Sequence, residues 1–160
     1  MPYASDPLTA KLNQLVASQD LYMGLIWFDE LNPAEKALIG TWELSNEFYN
    51  GGFMQYIHNS SGEHAVPMIE VLRTIDAQDA ADILASAVAL AGPGTVCGDA
   101  PNYVTALEVT PGDIRDRLSE LEMKFFDQSD DMHVRLYRYL ARHRDQIEAP
   151  EDFWTEATIQ

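Results

Sequence analysis

The side chains best equipped for chemistry crowd into one run, Asn46-Glu47-Phe48-Tyr49-Asn50-Gly51-Gly52-Phe53-Met54-Gln55-Tyr56-Ile57-His58-Asn59-Ser60-Ser61-Gly62. Asn46, Asn50, Gln55, His58, Asn59 and Ser60 place amide, imidazole and hydroxyl groups among large aromatics. Groups of this kind could line a polar pocket for a small ligand. They equally suit a plainer task, satisfying the loose N–H and C=O groups where two helices end, and that is the preferred reading. Gly51 can take the left-handed conformation that closes a helix. Gly52 permits close approach of backbone, and Phe53 opens a second, short helix.

Elsewhere the residue types argue against a catalytic or metal centre. His58 and His64 are six apart across a glycine-containing turn, and His133 and His143 are ten apart. Neither spacing is that of a helical ligand pair, and His143 falls on an apolar stripe, so no metal or other cofactor is expected. Cys97 follows Gly94-Thr95-Val96 in an acidic segment with no cation to lower its pKa. GxSxG, P-loop and GxGxxG patterns are absent. A general acid/base pair remains open only because carboxylates are so many. The expectation is a binding protein, not an enzyme.

Carboxylates are the loudest feature. Asp and Glu number 26 against 10 Lys and Arg, a net charge of −16, with a sequence pI near 4.3. Up to Thr110 three basic residues face fourteen carboxylates; from Pro111 onward seven face twelve. Such a field repels nucleic acid and anionic membrane and attracts basic surfaces, although acidity for solubility alone is common. The acids recur at three- and four-residue spacing: Glu43/Glu47, Asp76/Asp79/Asp82, Asp113/Asp116/Glu120 and Asp127/Asp130/Asp131. Neighbours so spaced on a helix repel by a few tenths of a kcal/mol. Helix-dipole complementation accounts for Asp76, Asp79, Asp113 and Asp127, but not for Glu43/Glu47, Glu70 or Glu120. Glu43, Glu47, Glu70, Asp76, Asp79, Asp82, Asp116 and Glu120 are therefore the candidates for an acidic binding face. A DNA duplex carries one charge per ~1.7 Å, so a face of about 30 Å imitating it would need on the order of 18 charges. One chain cannot present that on one face; a homodimer with aligned faces approaches it. The one basic cluster, Arg135, Arg138, Arg142 and Arg144, can pair with acids of this chain or of a second copy. Asp131 and Arg135 have the spacing of a weak surface pair, and direct nucleic-acid binding is not expected.

Helices must position these groups. Start signals recur at Asp6-Pro7, Asn32-Pro33-Ala34-Glu35, Ser60 to Glu63, Asp76 to Asp79, Thr110-Pro111-Gly112-Asp113, Asp127 and Pro150. Apolar stripes at helical spacing agree: Leu38, Trp42, Ser45 and Tyr49; Val66, Ile69, Leu72 and Ile75; Ile83, Ala87 and Leu90; Met132, Leu136, Tyr139, Leu140, His143 and Ile147. Ala80 to Ala91 favours helix, and Gly92-Pro93-Gly94 ends it. Tyr103 to Leu107 could make a short strand, but a strand without a partner is not stable. The expected fold is all-α, a single acidic domain over 1–160 with about seven helices and one irregular loop, 95–109. No apolar run reaches the ~18–20 residues of a membrane span. Met1 to Lys11 does not read as a signal peptide, and the single cysteine suits a reducing compartment, so a cytoplasmic location is expected.

The pieces Tyr49-Asn50-Gly51-Gly52-Phe53 and Asn59-Ser60-Ser61-Gly62, followed by Val71-Leu72-Arg73-Thr74-Ile75-Asp76-Ala77, resemble a bacterial family of small helical proteins whose best-known member is a DNA mimic. The similarity runs from about Leu38 to about Ala149. What the resemblance implies is an acidic dimer that occupies the DNA-binding face of a transcription factor. The partner expected on that basis is a basic DNA-binding protein or another basic protein, with no membrane partner. The signature residues look like fold determinants, and mimicry would rest on surface carboxylates outside the signature. Two other functions stand beside it: an immunity-type inhibitor of a basic toxin, and a small-ligand binder or enzyme using the 46–62 pocket.

Overall fold

Asp6 and Asn32 open the first two long helices as their residue types dictate. In α1 (Pro7–Ser18) the Asp6 carboxylate accepts from the Thr9 N–H at 2.9 Å, with Pro7 in the first turn. In α2 (Pro33–His58) the bonds are reciprocal. Asn32 Oδ1 accepts from Glu35 N at 2.9 Å, and Asn32 N donates to Glu35 Oε2 at 2.8 Å. Caps of this kind contribute about 1 kcal/mol each. The chain continues as α3 (Ala65–Thr74), α4 (Gln78–Ala91), α5 (Tyr103–Val109) and α6 (Gly112–Arg142), with 3-10 turns at Phe28–Glu30, Arg144–Gln146 and Glu151–Trp154. This computed structural model describes residues 6–19, 28–59 and 63–154. Among them there is no strand, and the fold is all-α as expected.

Several boundaries differ from expectation. Tyr103 to Val109 is helix, not loop, because Asn102 Oδ1 accepts from Thr105 N at 2.9 Å and Ala106 is buried. A cap and one buried contact outweigh the strand preference of Tyr, Val and Thr. Asp127 starts no helix; it lies inside α6, whose buried stripe of Leu118, Phe125, Met132, Leu136, Tyr139 and Leu140 continues without a breaker. Asp76 does not cap α4 and Thr110 does not cap α6. Asp76 sits in the left-handed region (φ 64) at the end of α3. There Ala77 N bonds Leu72 O at 2.9 Å and Asp76 N bonds Arg73 O at 3.0 Å, the paired bonds of a Schellman stop. Thr110 Oγ1 instead turns back on Ala106 O. The expected start at Ser60 to Glu63 lies mostly outside the described residues, and α3 has His64 at its N-cap position without a side-chain bond. Its stripe is turned as well, with Val66 exposed and Met68, Leu72 and Ile75 buried.

One connected core runs from Leu8 to Phe153. Helix α4 turns Ala80, Ala81, Leu84, Ala87 and Ala91 inward, and these short side chains let it lie close against α3 and α6. Helix α2 crosses α6 through three rings: Phe48, Phe53 and Phe125, with centroids 4.7–5.1 Å apart. No helix among the described residues is long and apolar enough to cross a membrane.

Candidate functional site

The polar run of α2 resolves into a break and its supports. Helical geometry fails at Gly51 (φ −163, ψ 22) and Gly52 (φ 72, ψ −166), splitting α2 into two arms; the positive φ expected at Gly51 falls on Gly52, and Gly51 is extended. Phe53 N–H, freed by the break, donates to Glu122 Oε1 of α6 at 2.9 Å. Burial raises the Glu122 carboxyl above its ordinary pKa, and the Phe53 bond offsets part of that. Glu47 Oε2 gathers Gln55 Nε2 at 3.0 Å and Asn59 Nδ2 at 2.6 Å. His58 Nε2 lies 3.1 Å from Ala91 O at the end of α4, and burial lowers its pKa. Gln55, His58 and Asn59 thus hold the second arm in place and do not converge on one pocket. Asn46 and Asn50 face elsewhere, into a cavity between α1, α2 and α6. Ser60 lies outside the described residues.

Of the candidate acidic face, Glu43 and Glu47 drop out because both are half-buried and bonded inward. Glu43 Oε2 meets His64 Nδ1 at 3.0 Å, whose ring stacks on Phe28 at 4.5 Å. Glu70, Asp76, Asp79, Asp82, Asp116 and Glu120 are exposed. Four of these fall along one groove between α4 and α6. Asp76 and Asp79 lie opposite Asp131 and Arg135, Asp82 opposite Asp127 and Lys124, and Ser86 and Leu90 opposite Glu120 and Arg117. The two helices are therefore antiparallel. The groove runs the length of α4, about 20 Å at 1.5 Å per residue. The acids of the α4 side occupy only its first part, Asp76 to Asp82, while those of α6 extend from Asp131 to Glu120. Asp127 and Asp131, which sequence spacing marked only as a row, complete the groove; their place opposite α4 depends on helix pairing that no local signal reveals. Asp116 is on α6 but does not line the groove.

Cations are threaded between these rows. Arg73 pairs with Glu70 and reaches Asp82 at 3.6 Å. Arg135 Nε donates to Asp131 Oδ2 at 2.5 Å and its Nη1 to Asp76 O at 2.7 Å, while Arg142 lies 3.5 Å from Asp76 Oδ2. Arg135 and Arg142 of the arginine cluster thus bind acids of their own chain, tying α6 to the α3–α4 junction. Exposed pairs of this sort contribute only ~0–1 kcal/mol each, so they remain open to exchange with a partner's charges.

An acidic all-α chain with a broken second helix and carboxylates along an α4–α6 groove is the class defined by these features. The family model described as DMP19-like protein matches residues 29–143, and the chain belongs to that family. This bears out the resemblance to the DNA-mimic family. The matched span begins before α2 and ends just after α6, leaving α1 outside it. No curated protein and no solved structure matches the chain.

Proposed function

We propose that this chain is a binding protein, not a catalyst, that takes the place of DNA on the basic face of a DNA-binding protein. The observation that carries this reading is the pair of antiparallel carboxylate rows, Asp76, Asp79 and Asp82 against Asp131, Asp127 and Glu120, in a member of the DMP19-like family. A duplex of about 20 Å carries about 12 phosphates. The six carboxylates of one groove are half that number, so two copies with aligned grooves complete the count. Lys124, Arg117 and Arg135 line the groove and lower the local field, and a basic partner would displace Arg135 from its exposed pair with Asp131 at little cost.

The test is capture of partners from a cell extract on the tagged chain, with washes at low and moderate salt. Recovery of a DNA-binding protein, released by salt and competed by its operator DNA, is the expected result. Asp79→Lys with Asp82→Lys should abolish that capture, while Glu43→Gln, which alters an inward carboxylate, should leave it intact. Capture that ignores the groove variants would defeat the proposal. A second reading, inhibition of a basic toxin, is favoured by one observation: exposed carboxylates occur also away from the groove, at Asp29, Glu30, Asp99, Glu108, Glu148 and Glu151. Recovery of a small basic toxin, not competed by DNA, would support it.

A further inference from the structure

Helix α1, outside the family match, closes a cavity of about 200 Å³ against α2 and α6. Its floor is polar and tightly built. His133 is buried on α6, with Nδ1 3.0 Å from Thr9 Oγ1 and Nε2 3.3 Å from Ser45 Oγ. Both ring nitrogens are thereby engaged. Thr41 is 1% exposed and lines the same space, yet its hydroxyl has no hydrogen-bond partner among the described residues. A buried hydroxyl left unpaired costs on the order of 1–3 kcal/mol, and this one lies behind the cavity wall and not on its surface. The walls are mostly apolar, from Trp42, Tyr49, Leu12 and Val16, with the amides of Asn13, Asn46 and Asn50 among them. Asp6 and Asp130 also line the cavity, and no Lys or Arg does among the described residues. Burial acts to raise the Asp6 carboxyl, but the bonds from the Thr9 backbone and side chain and the Leu8 N–H, with the charge of His133, outweigh it and hold the group lowered and ionised.

We infer that this cavity is a binding site for a small organic amine, an ammonium head on a compact apolar body. The carboxylates attract the head, and the aromatic and aliphatic side chains take the body. A void of 150 Å³ accommodates a benzene ring, so 200 Å³ suits a molecule of about nine non-hydrogen atoms. The large apolar share of the wall favours an occupant with an apolar body over a polyamine or a metal ion. The site stands apart from the α4–α6 groove and rests on no part of the DNA-mimic reading.

Titration of the full-length, nitrogen-15-labelled chain with phenethylamine, 2-phenylethanol and phenylacetate, followed by amide and indole NMR shifts, tests this. Saturable shifts confined to α1, Trp42 and the C-terminal half of α6 around Asp130 to Leu136 are expected with the amine, weaker ones with the alcohol and none with the carboxylate. Asp130→Asn should weaken the amine several-fold and leave the alcohol unchanged. Val16→Phe, which fills the void without burying a charge, should abolish binding in a folded chain. Absence of saturable shifts, as for a cleft that holds water only, would overturn the site. Phenylacetate binding as well as the amine would overturn its specificity for cations.

Discussion

At the scale of single residues, Gly51 and Gly52 look alike in the sequence and do different things in the fold. Gly52 adopts φ 72, ψ −166, a region essentially confined to glycine, and a Cβ there would strike the Glu122 carboxylate. Gly51 has an extended φ that any residue adopts, but its Cβ would come within 2.8 Å of Gln55 Cβ, which the backbone holds. Gly52→Ala, with both backbone strain and a clash, should therefore lower unfolding stability by about 2–3 kcal/mol, and Gly51→Ala, with the clash alone, by about 1 kcal/mol, as read from urea midpoints. Equal losses would show that the break is not set by backbone conformation. His133 sets a pH dependence. Burial holds its pKa below the ordinary 6.5, against the charges of Asp130 and Asp6, and His58 is shifted the same way. Between the lowered folded value and 6.5 the unfolded chain binds a proton that the folded chain refuses. Stability is thus fully present above about pH 6.5 and declines as pH falls below it. His133→Gln should flatten that decline relative to the parent chain; identical pH profiles would refute the assignment.

At the scale of elements, the α3–α4 junction places a carboxylate where glycine would be the easier fit. Asp76 holds the left-handed position of the stop, which costs a non-glycine residue about 1 kcal/mol. Its exposed contact with Arg142 returns ~0–1 kcal/mol. Asp76→Gly is accordingly expected to be neutral or stabilising by up to about 1 kcal/mol in chemical denaturation, and to weaken capture of the basic partner. Clear destabilisation would mean that the arginine contacts outweigh the backbone strain. The same junction explains a misplaced boundary. Asp76 has the residue type of an N-cap, but the preceding helix ends on it before the next begins, and its main-chain oxygen serves Arg135.

At the scale of the whole molecule, a net charge of −16 acts against compactness. The described cations are mostly engaged locally, so the surplus resides on exposed carboxylates over nearly every element. Like-charge repulsion between exposed groups is screened beyond about 10 Å at 0.1 M salt. Raising sodium chloride from about 20 mM to about 500 mM should lift the melting temperature by a few degrees, against the usual weakening of surface pairs. A falling melting temperature in the same scan would mean that the local pairs, not the surplus, dominate.

Helical class, the caps at Asp6 and Asn32, the break at Gly51-Gly52 and the acidic character were all legible in the residues, because propensity, capping and net charge act within a few positions of one another. Family membership was legible too, in the anchored ends of the Asn-Gly-Gly-Phe run. Local signals misplaced Asp127, which has the type of a helix start but lies within an unbroken buried stripe, and Tyr103 to Val109, where one asparagine cap decided between loop and helix. The site was decided by tertiary packing alone. Antiparallel pairing of α4 with α6 brought Asp76, Asp79 and Asp82 opposite Asp127 and Asp131, while burial turned Glu43 and Glu47 inward. Closure of α1 over α2 and α6 gathered Thr9, Ser45, Thr41 and His133 around one cavity, from residues as many as 124 positions apart. Charge and periodicity are properties of neighbours along the chain; which carboxylates share a surface, and which hydroxyl is left without a partner, depend on contacts between helices that no local spacing encodes.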